Sequence, residues 1–150
     1  MIQDYDLLII VNQKIREIDD SFQLLLNQTN QWLNSVITQP EKNSKIKKDY
    51  CEICLVRNVK FYSHHIGGQY NDFRQITICG DCHDVVTEKQ KLDARIWTEG
   101  NPDFLKKSFF LRGLYDVLEL MAQKRKNSLY KDIAKLLPNT IYSLQRSVQN

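Results

Sequence analysis

This chain of 150 residues is short of the residues that interrupt regular structure, with five glycines and three prolines. Long disordered linkers are therefore not expected outside residues 38–49. Long apolar runs are also missing. The run Leu7 to Val11 is five residues, far below the roughly 20 that a membrane-spanning helix needs, so no membrane is expected as a partner. Charge is nearly balanced: 21 Lys and Arg against 18 Asp and Glu give a formal net charge of +3, which leans weakly toward a nucleic-acid partner and excludes no function. The opening residues Met1-Ile2-Gln3-Asp4-Tyr5 contain neither a basic leader nor a small-residue cleavage site, so an intracellular location is expected. The apolar fraction of 42% is enough for one core. The length suits one domain, or a small metal-built module with helical additions.

Cysteine and histidine are equally scarce, four and three residues, but they are concentrated. Cys51-x-x-Cys54 is followed by 24 residues and then Cys79-x-x-Cys82. His64 and His65 lie between the pairs, and His83 directly follows the last cysteine. Two C-x-x-C turns can each aim two thiolates at one tetrahedral zinc ion, and a site closed by four sulfurs is structural. Such an ion would contribute folding free energy to a small core. Two disulfides in a secreted protein, or a redox pair, are the other readings of the same residues. The absence of a leader favours zinc.

Pattern divides the chain into four regions. Residues 1–40 read as helical, with Ile15, Ile18, Phe22, Leu25, Thr29, Trp32 and Val36 on one stripe. The stripe either packs on its own subunit or, because it keeps a seven-residue rhythm, forms a homodimer or a larger complex. The Leu7–Val11 run fits a short strand or the start of the same helix. Residues 41–49 form a basic linker with Lys42, Lys45, Lys47 and Lys48, either solvated or touching phosphates.

Residues 50–92 form the module that carries chemistry. Val59–Ser63 and Ile76–Ile78 are short strand candidates, Gly67-Gly68 supplies a turn, and a helix is expected from His83 to about Leu92. Residues 93–150 read as a C-terminal helical region. Asn101-Pro102-Asp103 has the look of a helix start, and the helix is expected to run to about Arg125. Gly113 on that helix allows close packing. Lys124, Arg125 and Lys126 are expected to close the helix, a role compatible with contacting phosphate. Ser128 is the expected cap of a further helix, Leu129 to Leu137, and a last helix follows Pro138. Trp97 is expected to anchor the crossing to the long helix.

The residues Cys51-x-x-Cys54, His64-His65-Ile66 and Ile78-Cys79-x-x-Cys82-His83 together resemble an HNH nuclease domain of the cysteine-bearing type. The likeness covers about residues 50–90. It implies a small α+β fold: a zinc-stabilised, treble-clef-like ββα-metal finger, here with N- and C-terminal helical extensions. It implies a structural zinc on Cys51, Cys54, Cys79 and Cys82. It also implies a catalytic divalent metal (magnesium, manganese, nickel or zinc) held by His64 and His83, with His65 as the general base. All three histidines would then be catalytic.

Residue chemistry is compatible with those roles. Neighbouring side chains on an extended segment point to opposite faces, so one histidine can face an ion and the other a water. An imidazole with a pKa near 6.5 can take a proton from water. The family usually carries an Asn about five residues before the second Cys pair, and here that position falls near Arg74. Asn71, Asp72 or Gln75 are the candidates to replace it. Arg74 itself holds a phosphate, stabilises charge in the transition state, supports the loop, or is a solvated surface arginine.

The resemblance makes DNA the expected substrate, with RNA open, and a cytoplasmic or nucleoid-associated location. The competing reading is a non-catalytic zinc-containing protein that binds nucleic acid or helps assemble a larger nucleoprotein complex. A protein-interaction adaptor is a third.

Overall fold

A computed structural model of the chain describes residues 4–41, 48–92 and 103–137. The chain divides into two compact units, Met1–Gln39 and Pro40–Asn150, each taken here by itself. Among the described residues there are four helices and one two-stranded antiparallel sheet, a small α+β architecture. None of the described helices is long and apolar enough to cross a membrane. Trp97, the Asn101-Pro102 start, the lysines at 42, 45 and 47, and the expected helix after Pro138 lie outside the described residues.

The first unit is helix α1, Asp4–Ile37. The Leu7–Val11 run is helical, not a strand. Its Leu8 and Val11 continue the three- and four-residue steps of Ile15, Ile18, Phe22 and Leu25, so one helical phase serves the whole segment. The helix ends as Thr38 N–H donates to the Asn34 carbonyl at 3.0 Å, two residues before Pro40, which could not continue it.

The second unit begins with the Cys51–Cys54 turn. Strands β1, Phe61–His65, and β2, Gln75–Cys79, then pair antiparallel, with His64 opposite Ile76 and His65 opposite Gln75. The first strand starts two residues later than Val59, so both histidines lie within it. Helix α2, Gly80–Leu92, follows β2 without a linker. It begins at Gly80, not His83, and Asp81 in its first turn complements the positive end of the helix dipole. The second Cys-x-x-Cys is therefore a strand end joined to a helix start.

Helix α3 spans Asp103–Arg125. It closes with Lys126 in the left-handed region (φ 51°) and a bond from Asn127 N–H back to the Ala122 carbonyl at 3.0 Å, a Schellman end. Helix α4 follows over residues 129–137. Its cap is Asn127, whose Oδ1 accepts from Leu129 N–H at 2.9 Å. Ser128, the cap expected from the sequence, instead offers its carbonyl to Asp132 N–H.

The core joins the hairpin, α2 and α3. Ile66, Ile76, Ile78, Val86, Phe110, Leu114, Leu118 and Met121 are all buried. Two glycines make the join close. A Cβ on Gly113 would lie 1.7 Å from the Ile66 carbonyl oxygen, and one on Gly67 would lie 3.0 Å from the Phe110 Cα. The α3 backbone thus rests directly on the chain leaving β1. A helix-interior glycine costs about 1 kcal/mol relative to alanine, and this contact is what it allows.

Candidate functional site

The first cysteine pair sits on a hydrogen-bonded knuckle. Cys51 N–H donates to the Val56 carbonyl at 2.9 Å, and Leu55 N–H to the Cys51 carbonyl at 2.8 Å. Leu55 and Asn58 take the left-handed region, at φ 68° and 58°; the knuckle imposes this on Leu55, a residue type that rarely adopts it. Cys54 N–H points at Cys51 Sγ, 3.4 Å away. Cys79 ends β2 and Cys82 lies in the first turn of α2.

All four sulfurs lie within 4.8 Å of one another, and Cys54 Sγ is 3.7 Å from Cys79 Sγ. A tetrahedral zinc with Zn–S bonds of about 2.3 Å spaces its sulfurs by about 3.8 Å, so the cluster has the dimensions of a zinc site. The cysteines are free thiols and not disulfides.

The electrostatics of the cluster ask for a cation. Burial raises the Cys51 thiol, but N–H donors from Cys54, Cys79 and Ile53 outweigh it and leave its pKa below the usual value. Burial, with the neighbouring cysteine sulfurs, pushes Cys54 up and Cys82 far up. One thiolate is welcome and the next are resisted, and a divalent ion reverses that resistance.

The knuckle is tied to the rest of the unit by charged side chains. Glu52 is buried; its carboxylate accepts from Thr77 N–H and from Lys48 Nζ, the latter at 2.7 Å. Burial works against the Lys48 ammonium, but Glu52 outweighs it and keeps the pKa above its ordinary value. From the end of α3, Arg125 donates to the Ile53 carbonyl (2.8 Å), the Glu52 carbonyl (2.6 Å) and Tyr130 Oη (2.8 Å). Of the basic trio at the end of α3, Arg125 is thus turned into the protein.

Two of the three histidines, His64 and His83, meet where β1 faces α2. His64 is buried at 5% exposure and faces α2, where His83 occupies the first turn. Their ring centroids are 6.0 Å apart with planes at 90°. Burial, and then the nearness of His83 and His65, lowers the His64 pKa to about 4, so its imidazole is neutral at pH 7 with a lone pair to offer. A ring nitrogen lies about 1 Å from its centroid and binds an ion about 2 Å further on, so rings sharing one ion have centroids at most about 6.5 Å apart. His64 and His83 fit that limit.

His83 is half-buried, stacks on the Tyr62 ring at 5.1 Å, and has Nδ1 3.8 Å from Asp84 Oδ1. Lys60 Nζ lies 5.2 Å from the centroid of the same tyrosine ring. His65 points to the opposite face of β1, where its Nε2 is 2.9 Å from Gln75 Nε2.

Residues 66–74 form a tight loop between the strands. Gly68, at φ 88°, makes the turn. Gly68 N–H donates to the His65 carbonyl, and Asn71 and Asp72 N–H both donate to the Gly68 carbonyl. Asn71 is buried. Arg74 makes a two-pronged pair with Asp72, Nε to Oδ1 at 2.8 Å and Nη2 to Oδ2 at 2.7 Å, and its guanidinium lies 3.4 Å over the Phe110 ring. These contacts pin the loop to α3, and with its side chain 15% exposed Arg74 is not a merely solvated surface arginine.

Two contributors escape a reading of motifs. Tyr62 borders His83 and is partly exposed. Gln90 donates from α2 to the carbonyls of His65 (3.2 Å) and Ile66 (3.3 Å). Its signal in the sequence is a polar residue on the Cys82, Val86, Gln90 row, whose first two members are buried.

No family model matches the chain, and neither a curated protein nor a solved structure does.

Proposed function

We propose that this protein is a metal-dependent endonuclease of the HNH type, hydrolysing phosphodiester bonds in DNA. The observation that carries the reading is the pairing of His64 and His83 across β1 and α2, with ring centroids 6.0 Å apart, beside a four-sulfur cluster that anchors the same helix. Cys51, Cys54, Cys79 and Cys82 would hold a structural zinc. His64 and His83 would hold a divalent ion, which offsets charge on phosphate oxygens when bound.

The chain's own residues supply the rest. His65 leaves the strand on the face opposite His64, so it can take the proton of an attacking water while the phosphate lies against the His64–His83 side. His64, neutral at pH 7, presents a lone pair without competition from a proton. Tyr62 and Lys60, alongside His83, offer an aromatic face and a positive charge to the flanking nucleotide. The expected products carry 5′-phosphate and 3′-hydroxyl ends.

The test is nicking of supercoiled plasmid by zinc-loaded protein with added magnesium, manganese or nickel, against His65→Ala. Metal-dependent nicking that disappears in H65A supports the reading. Folded, zinc-loaded protein that fails to nick with any of these ions refutes it.

One observation favours a second reading, a non-catalytic zinc-containing nucleic-acid-binding or assembly subunit. His65 Nε2 is engaged by the Gln75 amide at 2.9 Å. Amide donation there would place the remaining ring proton on Nδ1 and leave no lone pair for a base. Under the second reading His65→Ala leaves DNA binding intact and there is no cleavage to lose.

A further inference from the structure

We propose that Gln90 is the positioning residue of the histidine pair: its side-chain amide fixes the end of β1, and through it the directions of His64 and His65. This rests on the reading of those histidines as the reacting pair.

An amide nitrogen carries two hydrogens, and here two carbonyls receive them, His65 at 3.2 Å and Ile66 at 3.3 Å. Turning the amide over would aim its oxygen at two carbonyl oxygens, so only one orientation is stable. The same nitrogen lies 3.5 Å from His64 Nε2, so the amide also borders that ring.

The two peptides that flank Ile66 are both held. Ile66 N–H donates to the Arg74 carbonyl at 3.2 Å, and Gly68 N–H donates to the His65 carbonyl at 3.1 Å. The Ile66 carbonyl sits in the notch left by Gly113. Gln90 bridges the carbonyls of the two peptides. Because His64 and His65 leave the strand on opposite faces, any roll of the strand end would turn both rings together.

The position of Gln90 is itself indexed to the sulfur cluster. Cys82, Val86 and Gln90 recur every four residues on one face of α2. Cys82 is fixed among the four sulfurs, about 12 Å along the helix at 1.5 Å per residue. The cluster therefore sets the helix, the helix sets the amide, and the amide sets the histidines. This gives the cysteine site a role in the geometry of the reacting groups beyond holding the fold.

The test uses the full zinc-loaded chain with Gln90→Met, which keeps the length and removes both donors. Gln90→Asn, which keeps the amide but is one methylene too short to reach, replaces it should the methionine variant not fold. Zinc content and circular dichroism establish that the variant is folded. Two readouts then decide: the ring-nitrogen resonances of His64 and His65, and the split between kcat and KM for cleavage.

The expected result is shifted or broadened ring resonances, with kcat lowered about 10- to 100-fold and KM within about twofold of the parent. Unchanged ring resonances in a folded variant overturn the proposal. So does a variant with lower thermal stability only, since that is a structural role. If the parent cleaves nothing with any ion, the nuclease reading fails separately, and the ring resonances alone decide the role of Gln90.

Discussion

Gly113→Ala isolates the contact that joins α3 to the histidine strand. On an exposed helix this change would stabilise by about 1 kcal/mol, because alanine has the better helix propensity. Here the added Cβ would fall 1.7 Å from the Ile66 carbonyl oxygen and 2.6 Å from its carbonyl carbon. Ordinary contact needs about 3.4 Å, so α3 or the Ile66 peptide must move by about 1.5 Å or more, and both partners are backbone. Overpacking of this kind costs about 1–3 kcal/mol and sometimes more. It would also stretch the Gln90 bond to the same carbonyl, worth about 1 kcal/mol. The net expectation is destabilisation of about 1–3 kcal/mol, read as a lower urea midpoint at an unchanged slope. Gly80→Ala is the control: its Cβ would meet only Tyr62 Cε2 at 3.6 Å, so a change within about 0.5 kcal/mol is expected. A Gly113→Ala protein as stable as the parent would refute the close packing of α3 on Ile66.

Arg125→Met should lower stability by about 2–4 kcal/mol in urea unfolding, because two carbonyls of the cysteine knuckle lose a charged donor. Purified protein should contain one zinc per chain; Cys82→Ser should lose it, and a strong chelator should unfold the Pro40–Asn150 unit, followed by circular dichroism. His64 sets a pH dependence. Its folded pKa of about 4 lies below the ordinary 6.5, so the unfolded chain binds more protons between those values. Its contribution is complete above pH 6.5 and is lost as pH falls toward 4, about 3 kcal/mol in all. The comparison is the stability-versus-pH slope of the parent against His64→Asn; equal slopes between pH 6.5 and 4 would contradict the burial of His64 as a neutral ring.

The parts legible in advance were those encoded by local spacing. The two Cys-x-x-Cys pairs announced a four-sulfur site, since two thiols three residues apart on a turn can share one ion. The hairpin and the four described helices were legible as elements; α3 closed at Arg125 and α4 spanned 129–137 as expected, while the bounds of the strands and the start of α2 moved. Both histidines fell inside β1 because Ile76 and Gln75 of β2 pair with them, and pairing partners are not visible in a single strand. The α2 start moved back to Gly80 because the second cysteine pair is itself part of the helix.

Side-chain assignments were less legible. Arg125 reads as a surface base at a helix end, yet its partners are Glu52 and Ile53, 73 and 72 residues earlier in the chain. Arg74 reads as a candidate phosphate ligand, and its contacts are an aspartate two residues away and an aromatic ring on α3.

Residue order by itself determined the chemistry available: four thiols in two turns, two adjacent imidazoles and a third beside the last thiol. Those are matters of composition and short-range geometry, where spacing of three or four residues decides which side chains can share an ion or a face. Tertiary structure alone decided which side chains hold those groups still. Gln90, Gly113 and Arg125 act on backbone carbonyls of distant segments. A carbonyl looks the same at every position of a sequence, so only packing can choose which one is held.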